Sequence, residues 1–337
     1  MYKNILIINL MHIGDLLFST PFIHVVRNQY PNAHIAMLVD SKNSLVVKYN
    51  PNLSELIEID KKGYHNKLPN YLHLISDIRQ RKFDLVINLH GNERATVIAA
   101  FSGAKQIVGF AAKGLGFFLD SVVEECKKIH QVEAYLEILK LKSIGITEMS
   151  HQGLAMWVDD SSQQSANEMW RLSGKVIGFN TGGSWSTKRW TKKGFAELAD
   201  RLLEEGYGIA FFGGPMDEQD VQEIRGLIKQ SHHEKVAVFT GKTTLLEMAA
   251  LVKKCAVVVT GDSGPMHIAV SQKVPVVGIF GPSDVKRYAP YGQEGNIVQI
   301  GCHCQPCGQH SCDIGHICME NLSVDIVLEK LKSLHMI

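Results

Sequence analysis

A glycine-containing loop at residues 260–267 has the clearest chemical pattern in the chain. An apolar run ends at Asp262, and Ser263 and Gly264 follow at the predicted start of a helix. Pro265 fits the first helical position, where a missing amide hydrogen costs nothing. Because the amides at a helix start favour anions, the pattern predicts a site for a diphosphate whose charge grows as a nucleotide leaves. His267, one turn further on, is either a buried structural residue or part of this site.

A second loop, at residues 180–190, combines hydroxyl groups, glycines and a cation. Thr181 and the two following glycines bring donor groups to an oxygen-rich ligand, and Lys188 supplies a positive charge. The loop matches neither the GxxxxGK[ST] spacing of nucleoside-triphosphate loops nor the GxGxxG dinucleotide fingerprint. It is therefore either a phosphate-binding loop or an ordinary surface loop with one lysine.

A third loop, at residues 9–15 near the start of the chain, ends in Gly14 and Asp15. Glycine allows a ligand to approach the backbone closely. Asp15 has two interpretations, since aspartate is a preferred helix cap and also a carboxylate that can take a proton from an attacking hydroxyl.

The elements that position these loops alternate between strand and helix. A length of 337 residues favours two domains. A polar stretch at residues 151–173 separates two similar series, so we predict domains at 1–160 and 161–323, with a last helix at 324–337 returning toward the first domain. The fold class is α/β, with two Rossmann-like doubly wound parallel sheets facing across a cleft that holds the ligand. In the first series, strands are predicted at 3–9, 34–39, 56–59 and 85–88, and helices at 15–29 and 71–80. In the second, strands are predicted at 176–180, 209–212, 236–239, 256–260 and 274–280, with helices at 193–205, 218–229, 245–253 and 266–272.

Composition excludes several other classes of protein. The formal net charge is only +1, so nucleic acid is not an expected partner. No apolar run reaches the roughly 20 residues that span a bilayer. Because the first ten residues have the pattern of a strand rather than of an export signal, we expect a cytoplasmic protein, with peripheral membrane contact still open.

Five of the seven cysteines crowd into a short segment near the carboxyl terminus. Thiolates and neighbouring imidazoles are ligands for zinc or iron–sulfur clusters, but the spacing fits no standard site. Both packed thiols, free or in opportunistic disulfides, and a structural metal remain open, while a catalytic role is disfavoured. The five are Cys302, Cys304, Cys307, Cys312 and Cys318.

Several of these motifs, taken in order, resemble the ADP-heptose lipopolysaccharide heptosyltransferases of glycosyltransferase family 9. The resemblance extends over nearly the whole chain. Each motif is weak alone, but their order and spacing are specific. They are IGDLLFSTP at 13–21, NLHGNER at 88–94, KRW at 188–190, DSGPMH at 262–267 and GPSD at 281–284.

The resemblance implies the GT-B arrangement and a metal-independent transfer with inversion that requires no cofactor. By motif, Asp15 would be the general base and Lys188 would hold the donor phosphates. Glu218, with Asp217 as the alternative, would bind a nucleoside hydroxyl. Arg94 and Lys105 either bind acidic groups of the acceptor or are solvated surface charges. The other donor-binding residues would be Gly14 and Thr181, then Leu245 against the adenine, Asp262 against the sugar or its phosphate, and Ser263, Gly264 and His267.

The implied partners are ADP-heptose as donor substrate and a lipid-linked lipopolysaccharide core as acceptor, met at the cytoplasmic face of the inner membrane. Two alternatives remain: the same fold with another nucleotide sugar or acceptor, and a nucleotide-binding protein without chemistry. A nicotinamide dehydrogenase is a poorer third, because the dinucleotide fingerprint is missing.

Overall fold

The computed structural model describes residues 2–146 and 148–337, and it divides into two compact units at residues 1–153 and 154–337. In the first unit, six strands form one parallel sheet in the order β3-β2-β1-β4-β5-β6. The central strand β1 is buried from Ile5 to Asn9, as expected for a parallel sheet covered on both faces. The strands are β1 Asn4–Asn9, β2 His34–Asp40, β3 Glu55–Ile59, β4 Leu85–Asn88, β5 Gln106–Gly109 and β6 Ser121–Val122. The helices are α1 Ile13–Phe18, α2 Thr20–Gln29, α3 Leu68–Gln80, α4 Glu93–Phe101 and α5 Gln131–Leu139.

The second unit repeats this topology, with six parallel strands in the order β12-β11-β10-β7-β8-β9. Its first strand again lies in the middle of the sheet, so the loops after β7 and β10 are neighbours at the carboxyl edge. The strands are β7 Val176–Asn180, β8 Gly208–Phe212, β9 Val236–Val238, β10 Val257–Gly261, β11 Val276–Ile279 and β12 Ile297–Val298. The helices are α6 Asp160–Met169, α7 Lys192–Glu204, α8 Glu218–Leu227, α9 Leu245–Val252, α10 Gly264–Ser271, α11 Val285–Tyr288, α12 Ile317–Glu320 and α13 Val324–Ser333.

The predicted α/β class with two doubly wound parallel sheets is confirmed.

Short 3₁₀ helices occupy several connections: Ser41–Val46, Tyr64–Asn66, Gly116–Phe118, Ser186–Lys188, Pro215–Asp217, Gln230–Lys235 and Glu294–Asn296. Within the described ranges, none of the helices combines the length and apolarity that crossing a membrane requires.

The helix predicted at 15–29 is in fact two helices that meet at Ser19. Pro21 has no amide hydrogen, so the carbonyl of Leu17 lacks its usual helical donor. The hydroxyl of Thr20 donates to that carbonyl at 2.7 Å, and the Ser19 hydroxyl donates to Leu16 at 2.6 Å. These contacts end α1 and turn the chain into α2.

The second unit begins earlier than the predicted boundary after residue 160. Leu154 and Met156 are buried, and their carbonyls accept hydrogen bonds from Lys273 at 3.0 Å and Gln272 at 2.8 Å. These contacts tie the connecting segment to the end of α10.

The last helix belongs to the core of the second unit. Helix α13 packs against α7 and β12. Val327 and Leu331 are fully buried in the core of the second unit. The apolar face of this helix therefore completes the unit to which it belongs.

Candidate functional site

The carboxyl edge of the second sheet carries a buried ion pair. The ammonium of Lys188, at the end of the Ser186–Lys188 turn, lies 2.6 Å from a carboxylate oxygen of Asp262, which follows β10. The two side chains are only 15% and 7% exposed. Gly261 makes this approach possible, since a Cβ there would lie 2.8 Å from the carbonyl oxygen of Lys188. The role of Gly261 was not predicted, although a glycine ending a buried strand is a signal for close backbone contact.

The start of α10 adjoins this pair. Ser263 is the N-cap residue of α10, and its side chain does not cap the helix. Its hydroxyl instead lies 3.1 Å from the amide oxygen of Asn180, which also accepts from Thr260 at 3.2 Å. The amides of the first turn, including that of Gly264, therefore keep the orientation that favours an anion. Asn180 was missed as a positioning residue; a polar residue at the end of an otherwise apolar strand is the signal for it.

His267 supports the same carboxylate. It is 3% exposed, and its Nε2 atom lies 4.0 Å from the second carboxylate oxygen of Asp262. Asp262 is thus placed between a lysine and an imidazole. This burial favours the structural interpretation of His267 over direct contact with a ligand.

Two threonine hydroxyls at this edge are buried without a hydrogen-bond partner among the described residues. Thr181 follows β7 and is 5% exposed, while Thr240 follows β9 and is 1% exposed. Buried hydroxyls are normally paired, so an unpaired one points to a missing ligand or water. The neighbouring Gly213 gives Thr240 its place, because a Cβ there would lie 3.1 Å from the threonine methyl group.

Asp217 and Glu218, the two candidates for a nucleoside hydroxyl, have different surroundings. Asp217 accepts from the amide of Gly214 at 3.0 Å, pairs with Arg189 at 3.5 Å and fills the space over Gly182. Its carboxylate is thereby committed to the protein.

Glu218 instead begins α8, and its carboxylate lies against Gly241, where a Cβ would overlap it. Leu245, the predicted adenine contact, begins α9 just beyond that turn. The N-cap residue of α9, Thr244, forms a capping box with Glu247, which fixes the start of this helix. Glu218 is therefore better placed than Asp217 to meet a ligand in this turn.

The first unit presents Asp15 at its carboxyl edge, in the first turn of α1. The N-cap residue of α1 is His12, so of the two interpretations of Asp15 the helix cap does not apply. Gly14 lies within the same turn, and the side-chain amide of Asn9, the last residue of β1, donates to the carbonyl of Asp15 at 3.3 Å. Asp15 is partly exposed.

Basic side chains surround this loop. Lys61 donates to the carbonyl of Leu10 at 2.6 Å and lies 3.0 Å from Asp40. Burial, with Lys61 and then His12 adding repulsion, lowers the pKa of His90 to about 4. Burial and then Lys61 also lower the pKa of His12. The two imidazoles are therefore neutral at pH 7, and Lys61 is a cation beside this loop.

Arg94 and Lys105, the predicted acceptor contacts, lie in different surroundings. Arg94 donates to the carbonyl of Lys61 at 2.6 Å and to Asn66 at 3.2 Å. It also lines an open groove of about 320 Å³ whose other walls are His65, Asn66, Leu68, Tyr71, Glu93 and Val97.

Lys105 requires a correction. It precedes β5 and therefore lies at the amino edge of the sheet, away from Asp15 at the carboxyl edge. Its ammonium lies 2.8 Å from Asp84, which precedes β4 in the same way, and its side chain is 81% exposed. The structure therefore separates Lys105 from the group around Asp15, because a residue before a parallel strand cannot join loops that follow the strands.

The cysteines of the carboxyl-terminal segment are all free thiols. The sulfur atoms of Cys302 and Cys304 are 3.4 Å apart, beyond the length of a disulfide bond. In the described parts of the chain, no three histidine, cysteine or acidic side chains are arranged to hold a metal ion. Five cysteines nevertheless line one small cavity of about 20 Å³, together with Thr187 and His316.

Two doubly wound parallel sheets of the same order, each with polar loops at its carboxyl edge, match the GT-B fold. The chain belongs to glycosyltransferase family 9 (heptosyltransferase), whose family model matches residues 71–318. The resemblance inferred from the motifs is thereby confirmed.

Similar proteins match most or nearly all of the chain. A crystal structure of a family 9 glycosyl transferase from Veillonella parvula DSM 2008 is 32% identical, with a TM-score of 0.90 over 98% of this chain and 97% of that one. Lipooligosaccharide heptosyltransferase 2 of Campylobacter jejuni serotype O:2 is 27% identical, covering 96% of this chain and 95% of its own. Lipopolysaccharide heptosyltransferase 3 of Escherichia coli K12 is 26% identical, covering 85% and 84%.

Proposed function

We propose that this protein transfers heptose from ADP-heptose to a hydroxyl of the lipopolysaccharide inner core with inversion at the anomeric carbon. The acceptor oxygen forms a bond to that carbon while the bond from the carbon to the β-phosphate oxygen of ADP breaks. The bonding electron pair leaves with ADP, and the hydroxyl proton passes to the carboxylate of Asp15. The names of the curated relatives support the sugar and the acceptor class.

The observation that carries the proposal is the buried pair of Lys188 and Asp262 beside the start of α10. The departing ADP gains negative charge on its β-phosphate, and a fixed cation together with oriented amides stabilises such charge. Lys188 supplies the cation, and the first turn of α10 supplies the amides. Asp262 orients the ammonium and leaves its remaining hydrogens for the phosphate oxygens.

The hydroxyls of Thr181 and Thr240 support a ligand rich in oxygen at the same edge, since neither has a partner among the described residues. Glu218 and Leu245 border the turn at Gly241 and fit a ribose hydroxyl and an adenine face, respectively. In the proposed arrangement the nucleoside lies over β8 and β9 and the diphosphate over β7 and β10. Neighbouring strands of one parallel sheet thus serve the two halves of the donor.

The acceptor side is assigned to the first unit, where Asp15 is the base. A sugar hydroxyl is a weak nucleophile until a nearby carboxylate takes its proton. Lys61 and the neutral imidazole of His90 lie beside the loop that carries Asp15, and the neutral imidazole of His12 belongs to that loop. These groups suit an acceptor that carries anionic and hydroxyl groups together.

The deciding experiment measures ADP release from ADP-heptose with and without a heptose-deficient core acceptor, for the wild type and Asp15→Ala. We expect release that depends on the acceptor and falls by about a hundredfold or more in the variant, as for loss of a general base. ADP binding stays unchanged, because Asp15 belongs to the acceptor side. If the wild type binds ADP but releases none from ADP-heptose, the proposal fails and other nucleotide sugars become the substrates to test.

A lipid-linked acceptor further implies work at a membrane surface. The first unit exposes Phe117 by 76% and Phe118 by 40%, and their ring centroids are 4.1 Å apart. Phe101, also exposed, has its ring centroid 6.0 Å from that of Phe118. We expect co-sedimentation with vesicles of bacterial phospholipid that is reduced by Phe117→Ser. Equal sedimentation of wild type and variant would remove these rings from the proposal.

A further inference from the structure

The cysteine-rich segment, residues 302–318, lies directly against the turn that carries Lys188. Thr187, the neighbour of Lys188, is 6% exposed and lines the thiol cavity of this segment. The two stretches are more than a hundred residues apart in sequence, and the structure alone brings them together. The segment therefore has a place beside the donor-binding residues that its composition does not reveal.

Two hydrogen bonds attach Thr187 to the segment. Its hydroxyl donates to the carbonyl of Gln309 at 2.8 Å. Its own carbonyl lies within hydrogen-bond distance of Nε2 of His316. Because a carbonyl can only accept, the imidazole must carry its proton on Nε2. Thr187, which immediately precedes Lys188, is thus held through both its hydroxyl and its backbone carbonyl.

A ring contact adds a third attachment. The indole of Trp185 packs on the imidazole of His310, with centroids 3.7 Å apart. The Lys188 ammonium lies 4.4 Å from the centroid of the same indole, a distance at which an aromatic face attracts a cation. The segment thus contacts both the backbone that precedes Lys188 and the surface against which its ammonium rests.

The backbone of His316 adopts a conformation that is uncommon for residues with a Cβ. Its φ angle is +56°, in the left-handed region that disfavours a residue with a Cβ, and it follows Gly315, which is also left-handed. Glycine or asparagine would occupy this position at lower cost. The imidazole of this residue lies on the Thr187 carbonyl, so the left-handed turn and the hydrogen bond occur at the same position.

We propose that His316 is a positioning residue for the donor: it fixes the Ser186–Lys188 turn so that the Lys188 ammonium faces the donor diphosphate. The inference rests on the proposed function, because it needs Lys188 to bind phosphate. His316 touches neither donor nor acceptor in this role. It acts through the Thr187 carbonyl.

Two replacements of His316 distinguish the effect of its side-chain length from the effect of its backbone conformation. Asparagine tolerates the left-handed region but is too short to reach Thr187, whereas the side-chain amide of glutamine presents a donor where Nε2 lies. We expect His316→Asn to weaken ADP binding about three- to tenfold, the value of one hydrogen bond, in isothermal titration. His316→Gln should recover binding to within about twofold of the wild type. The acceptor KM stays unchanged in both variants.

The matched control is His303→Asn, in the same segment. His303 is exposed, and the change should leave ADP binding as in the wild type. Thr187→Val is a second probe, since it keeps the carbonyl that His316 contacts and removes only the hydroxyl bond to Gln309. We expect weaker ADP binding from this variant as well, which keeps the proposal testable should His316→Asn fail to fold.

Combination with Lys188→Met tests whether His316 acts through Lys188. If it does, His316→Asn causes no further loss of ADP binding once Lys188 is gone. The positioning role is overturned if His316→Asn weakens ADP binding by the same factor in both backgrounds, or does not weaken it at all. Either result leaves the proposed function intact. A wild type that does not bind ADP at all overturns both together.

Discussion

The ammonium nitrogen of Lys188 lies 2.6 Å from a carboxylate oxygen of Asp262, and both side chains are largely buried. The pair forms between a 3₁₀ turn after β7 and the loop that opens α10. Partners brought together from separate loops and removed from water are costly to separate, because the charge left behind is no longer solvated. The pair therefore links the stability of the second unit to its ability to bind a phosphate.

Lys188→Met tests this link directly. It leaves the Asp262 carboxylate buried without its cation, so we expect a loss of about 3 kcal/mol in the free energy of unfolding. ADP binding should fall by tenfold or more, since a charge-assisted contact to phosphate is lost. The double variant Lys188→Met/Asp262→Asn should regain most of the stability but none of the binding. Urea unfolding and titration with ADP measure the two effects, and recovery of binding in the double variant would contradict the assignment of Lys188.

Gly261→Ala tests the close backbone contact beneath the pair. The new Cβ would meet the Lys188 carbonyl at 2.8 Å and push the turn away, so we expect ADP binding to weaken about tenfold, as for a loss near 1.4 kcal/mol. Gly226→Ala in α8 is the matched control, because no atom lies within 4 Å of its Cβ position. That change should leave binding unaltered and stabilise the helix by about 0.5–1 kcal/mol. Equal binding by both variants would show that the contact at Gly261 is unimportant.

Arg94 and Lys105 should now behave differently. Arg94→Ala removes the bonds to the Lys61 carbonyl and to Asn66, so the loop beside the acceptor residues loosens and the acceptor KM rises about three- to tenfold. Lys105→Ala removes only an exposed pair at the far edge of the sheet and should leave every kinetic constant within twofold. Steady-state kinetics with varied acceptor measures both variants. A raised acceptor KM for Lys105→Ala would contradict the placement of the acceptor at the carboxyl edge.

Much of this architecture is predictable because it is encoded locally. Apolar runs of four to seven residues between helical patterns predict the central strands, and the sequence DSGPMH predicts a helix start because Gly264 and Pro265 are typical of one. The break at Ser19 was missed although Pro21 is a local signal for it. The strand Gln106–Gly109 was not predicted either, and without it the charge of Lys105 gave no indication of which edge it occupies.

Other features depend on contacts that no local pattern contains. His316 and the Thr187 carbonyl lie 129 positions apart, and Ser263 and Asn180 lie 83 apart. Residue type suggests that each could form a hydrogen bond, but the partner is fixed by the order of the strands. Part of the polar stretch at 151–173, predicted only as a separator between the two series, is helix α6, where Ser165 bonds to Glu247 of α9 at 2.6 Å and Ala166 is buried. Tertiary packing overrides the local preference there.

The lowered pKa of His90 predicts how the stability of the first unit depends on pH. Its pKa is lowered to about 4 in the folded protein, first by burial and then by Lys61 and His12, while an unfolded histidine titrates near 6.5. The unfolded chain therefore binds the proton more tightly, and stability is lost as pH falls from about 6.5 to about 4. Above pH 6.5 this contribution is fully present, and its upper limit is about 3 kcal/mol.

The comparison is between the wild type and His90→Gln, which does not titrate. Hydrogen exchange of the β4 amides, followed by mass spectrometry at pH 7.5 and 4.5, should show a larger loss of protection in the wild type. Tryptophan fluorescence is an internal control because all four tryptophans, Trp157, Trp170, Trp185 and Trp190, lie in the second unit. A wild type and a variant that lose the same protection in β4 would show that His90 is solvated and that its proton is not linked to folding.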